Sequence, residues 1–74
     1  MTLNTLVPGE EAVVTDLFAE GALGQRLMDL GFYSGASVRV IRVAPFFDPV
    51  EIELDGYHVC LRHKEAELVA VVKK

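Results

Sequence analysis

The sequence has no tryptophan, one cysteine and three prolines, and its seven Lys and Arg are outnumbered by eleven Asp and Glu. Each shortage excludes something. A single cysteine, Cys60, rules out an intrachain disulfide and suits a reducing compartment. Without tryptophan, and with only two tyrosines and four phenylalanines, there is little from which to build the aromatic groove that reads proline-rich peptides. Phosphate-backbone binding needs clustered cations. Here Arg39 and Arg42 are isolated on one run, Arg62, His63 and Lys64 make one small group, and Lys73 and Lys74 form a solvated tail. Nucleic-acid binding is therefore not expected. No apolar run approaches the ~20 residues needed to span a bilayer. "MTLNTLVPGEE" lacks the basic flank and apolar run of a signal peptide, so the expected location is the cytoplasm.

What is present points to one small domain, residues 1–74. A chain of this length buries roughly 60% of the surface it exposes when unfolded, enough for one core and too little for a deep substrate cavity. With 51% hydrophobic residues it is not a disordered segment. Short runs separated by Gly and Pro read as a small β-rich fold. "EAVVTDLF" (11–18) is a first strand. "EGALGQRLMDLG" (20–31) places Leu23, Leu27 and Leu30 on one helical stripe, with Gly31 as a left-handed cap. Such a short helix must be held by packing that stripe on the rest of the molecule.

"ASVRVIRVAP" (36–45) is a second strand, with Val38 and Val40 facing one way and Arg39 and Ile41 the other. "FFDP" connects it to "VEIELDG" (50–56), where Val50, Ile52 and Leu54 alternate with Glu51, Glu53 and Asp55. Asp55-Gly56 is a two-residue hairpin turn. "YHVCLR" (57–62) returns with Tyr57, Val59 and Leu61 inward and His58, Cys60 and Arg62 outward. After a short turn, "LVAVV" (68–72) is apolar on both faces, so its outer face needs cover from the helix stripe or from a second copy of the chain. The sum is a mainly β, partly open five-stranded barrel with a short helix inserted between the first and second strands.

Few residues carry chemistry. His58, Cys60 and His63 are the only group with soft metal-ligand character, enough to recruit adventitious Zn(II) or Fe(II), with no cofactor required. A Cys–His pair has no third orienting group, so no catalytic residue is assigned and no enzyme is expected. Glu51, Glu53 and Asp55 form either a solvated edge or a steering surface for a basic partner. Arg26 and Met28, off the helix stripe, and Phe46 and Phe47, adjacent on an extended loop, are the candidate partner contacts.

The ordered set Arg26-Leu27, Leu30-Gly31, Gly35, Pro45, Asp48-Pro49, Leu61-Arg62 and Glu65-Ala66 resembles the FeoA family of small ferrous-iron transport proteins, over about Leu6 to Val72. The resemblance implies an SH3-like barrel and a non-enzymatic cytosolic accessory that binds the cytoplasmic part of a FeoB-type Fe(II) transporter, a membrane protein that carries a cytoplasmic GTP-binding domain. For an arginine acting on that GTP-binding domain, Arg26, Arg42 and Arg62 are equal candidates. A similar module ends metal-dependent repressors, so a regulatory or oligomerisation role is the alternative, with a metal-binding carrier as a third. Many members have Gly before the Asp-Pro pair, where this chain has Phe46-Phe47.

Overall fold

The computed structural model describes the backbone of residues 1–74 and every side chain except that of Phe47, so the Phe47 contact expected above lies outside the described residues. Its elements are β1 (Glu11–Leu17), α1 (Gly21–Leu30), β2 (Ser37–Val43), β3 (Val50–Leu54), β4 (Tyr57–Leu61), α2 (His63–Ala66) and β5 (Val69–Lys73). Short 3-10 turns lie at Leu3–Thr5 and Pro45–Phe47. The strands form one antiparallel five-stranded sheet in the order β4-β3-β2-β1-β5. Among the described residues no ladder joins β4 to β5, which leaves the sheet partly open.

Alternation decides the inner face. Val50, Ile52 and Leu54 of β3 are buried, as are Val38 and Val40 of β2. Two-residue turns fix hairpin register, and here Leu54 pairs with Tyr57, Glu53 with His58, Ile52 with Val59 and Glu51 with Cys60. The turn uses Asp55 at φ +47° and Gly56 at φ +89°. In β2 the register slips between Val40 and Arg42. This bulge leaves Ile41 and Arg42 both on the outside.

The helix departs from the expected stripe. Leu27 is buried and Leu23 half-buried, but Leu30 is 37% exposed. The buried partner is instead Phe32, just past the helix. Gly31 adopts φ +112°, and its N–H donates to the Met28 carbonyl at 2.9 Å while Phe32 N–H donates to the Leu27 carbonyl at 3.2 Å. That is the Schellman arrangement, which turns Phe32 back beside Leu27. Gly24 is buried for a different reason: a Cβ there would lie 2.6 Å from the Ala19 carbonyl oxygen. The start of the helix and its own leading segment meet backbone to backbone there.

Three further expectations are corrected. Tyr57 has the inward phase of β4 but stands at the hairpin end, where it overhangs the core and is 74% exposed. β3 is an interior strand between β2 and β4, so its acids are not an edge. The outer face of β5 is not covered by the helix stripe, for Val72 remains exposed. The free edge of β5 is met by the N-terminal segment: Val71 N–H donates to the Met1 carbonyl, and Thr2 bridges Ala70. That segment also sends Leu3 and Leu6 into the core, a contribution no periodicity announced.

Candidate functional site

The expected partner contacts separate into three environments. Arg26 is not free. Its guanidinium pairs with Glu65 Oε2 across the gap from α1 to α2, while Glu65 Oε1 accepts the Arg62 N–H at 2.8 Å. Glu65 thus closes the first turn of α2 with one oxygen and ties down α1 with the other.

Met28 lines a shallow groove of about 300 Å³ with Leu17, Ala19, Phe32 and Tyr33, rimmed by Thr15, Asp16 and Ser34. Phe18 and Tyr33, both more than half exposed, add apolar surface at the same end of β1. The groove exists because the Schellman turn folds the Phe32-Tyr33 segment toward the end of β1, where Phe18 N–H is tied to the Leu68 carbonyl at 2.7 Å. Tyr33 and Phe18 were not singled out from the sequence; their signal was two aromatics flanking α1 at positions off its stripe.

Phe46 is 94% exposed and adopts φ +65°. A bulky side chain in the left-handed region is held there against its preference. No residue of its loop lines the Met28 groove among the described residues, so the two are separate apolar features.

The outer face of β2, β3 and β4 is charged and largely self-neutralised. Arg42 Nη1 lies 3.3 Å from Glu51 Oε2, and Arg39 Nη2 lies 3.5 Å from Glu53 Oε2. Asp55 accepts the Ser37 N–H at 3.0 Å. The three acids therefore do not present an unopposed steering surface. Arg62 is the arginine without an ion pair among the described residues.

The metal-ligand group is redrawn. His58 Nε2 lies 3.4 Å from Glu51 Oε1, and one ligand atom each from Glu51, His58 and Cys60 fall within 4.8 Å of one another. His63 does not join them. The chain leaves β4 at Arg62, and His63 N–H donates to Asp48 Oδ1 at 2.6 Å while its ring nitrogen lies 3.5 Å from Glu67. Glu51 was legible in principle, because counting back from a two-residue turn at Asp55-Gly56 sets it opposite Cys60. Elsewhere, Glu10 is held below the usual carboxyl range by Lys73 and by the N–H of Val7. Among the described residues no helix is long and apolar enough to cross a membrane.

A family model described as FeoA domain matches residues 1–73. The chain is 32% identical over 71 residues to an Fe(2+) transport protein A/Fe(2+) transporter FeoB fusion protein of Porphyromonas gingivalis, which covers 96% of this chain but only 8% of that protein. A putative Fe(2+) transport protein A of Campylobacter jejuni is 34% identical, with 96% of each chain covered. The solution structure of FeoA from Chlorobium tepidum superposes with a TM-score of 0.91 at 42% identity, covering 99% of this chain and 70% of that one. FeoA of Stenotrophomonas maltophilia, complexed with zinc and described as a prokaryotic SH3 domain protein, gives a TM-score of 0.85 at 33% identity, covering 97% and 89%. A manganese-dependent transcriptional repressor shares the fold alone, with a TM-score of 0.91 at 20% identity over 36% of its chain. The SH3-like, mainly β fold expected from the sequence is borne out.

Proposed function

The chain belongs to the FeoA domain family, and from that membership we propose that it serves Fe(II) transport as a non-enzymatic adaptor, binding the cytoplasmic part of a FeoB-type transporter. The observation that carries this reading is the relative in which the same domain is fused in one polypeptide to FeoB. Fusion holds two modules at high effective concentration, which is useful where they must meet. The geometry supports binding rather than reaction. The surface offers an apolar groove with a flexible Met28 and a planar Tyr33, while the outer strand face has largely spent its charges on itself. The groove is the contact, with Phe46 as a second, separate anchor.

Calorimetric titration of the folded chain against the cytoplasmic region of the FeoB-type transporter from the same organism tests this. A saturable one-to-one isotherm is expected, weakened at least about tenfold by Met28→Asp, which corresponds to about 1.4 kcal/mol. Phe46→Ala, tested separately, shows whether the loop contributes. Absence of binding by a chain with native circular dichroism overturns the reading.

A further inference from the structure

We infer that the outer face of the β3–β4 hairpin is a three-ligand site for Zn(II), built from Glu51, His58 and Cys60. A carboxylate, an imidazole and a thiol already converge there, with one ligand atom from each inside 4.8 Å. Ligands of a tetrahedral zinc at about 2.0–2.3 Å stand roughly 3.3–3.8 Å apart. The gathering needed is about 1 Å, and His58 and Cys60 are exposed and free to turn by rotamer.

The backbone beneath is fixed. Glu51 and Cys60 are directly opposed, and His58 lies two residues along the same face of β4. A one-residue slip would scatter the set, but it would also turn Val50, Ile52 and Leu54 out of the core, so the register is strongly held. Arg42 takes Glu51 Oε2 and leaves Oε1 turned toward His58. One carboxylate oxygen is therefore held in place while the other is available to the ion. Binding displaces the thiol proton of Cys60 to solvent and leaves ion, thiolate and carboxylate with no net charge. Three protein ligands leave a fourth position for water or a donor from outside.

The donor set selects the metal. Thiolate and imidazole favour Zn(II), and the ordinary stability order sets Fe(II) well below it at such a site. The site is thus not a store for the ion that the FeoA family is associated with.

Co(II), a spectroscopic stand-in for Zn(II), tests this on the reduced chain with no transporter present, so its outcome is independent of the adaptor reading. Expected are one ion per chain, a thiolate-to-metal charge-transfer band, and displacement by Zn(II). Cys60→Ser is expected to abolish the band, and His58→Ala to weaken binding at least about tenfold. In the unaltered protein, Zn(II) is expected to slow alkylation of Cys60 at least about tenfold, because the bound thiolate is no longer free to attack. No band, unchanged affinity in Cys60→Ser, one ion per two chains, tighter binding of anaerobic Fe(II) than of Zn(II), or no protection of Cys60 in the unaltered protein would each overturn the site.

Discussion

The α1 flank and the β3–β4 hairpin solve the same problem of a small core in opposite ways. The hairpin alternates strictly: Val50, Ile52 and Leu54 go in, and the acids opposite them are matched by Arg42, Arg39 and Ser37. The helix flank instead folds closely on its own lead-in at Gly24, buries Leu27 and Phe32, and leaves Met28, Leu30 and Tyr33 partly or largely outside. Apolar surface left over on one side and charge consumed on the other divide the labour. The first flank has the free energy of burial still available for a partner, and the second has polar ligands already brought together.

The sharpest way to break this comparison is to cut one leucine-sized side chain from each flank. Ile52→Ala is expected to cost about 2–5 kcal/mol in urea unfolding, while Leu30→Ala costs less than about 1 kcal/mol because its side chain already touches water. Equal costs would show that the helix stripe is core after all. Next in size is Gly24→Ala. Helix propensity alone favours alanine by about 1 kcal/mol, but the new methyl meets a backbone carbonyl at 2.6 Å and overpacking costs about 1–3 kcal/mol. A lower melting temperature is expected; a higher one would mean that the close approach relaxes freely.

The smallest effect belongs to neither flank. Lys73 pairs with Glu10, so the end of β5 meets the residue that leads into β1. Because the Glu10 carboxyl is held below its ordinary 4.5, the stability it contributes is fully present above that pH and is lost as pH falls through the lower folded value. Comparing melting curves of wild type and Lys73→Met between about pH 6 and pH 3 should show a small loss that is diminished in the variant, where only the Val7 N–H still holds the Glu10 carboxylate.

The hairpin was the most legible part of the molecule. A period of two over 50–54, a turn pair at Asp55-Gly56 and a returning strand leave one register, and that register by itself sets Glu51 against Cys60. His63 follows the strand closely enough to look like a member of the group, but the departure of the chain into α2 carries it toward Asp48. Arg26 lies off the helix stripe, and that position alone makes it a candidate contact. Glu65, 39 residues away, is brought to it only by the fold. Tyr57 had the right phase and the wrong depth, since alternation tells which face a side chain takes and not whether anything lies over it.

By itself, the sequence determined the strand faces, the turn chemistry at Gly31 and Asp55-Gly56, and the family. These depend on local dihedral preferences and on alternation, which neighbouring residues settle among themselves. Tertiary structure alone decided that Leu30 stays in water while Phe32 is buried, that Arg26 is spent on Glu65, and that Met28 borders a groove. Each of these depends on how closely two distant segments approach, and that distance is set by the packing of the whole core.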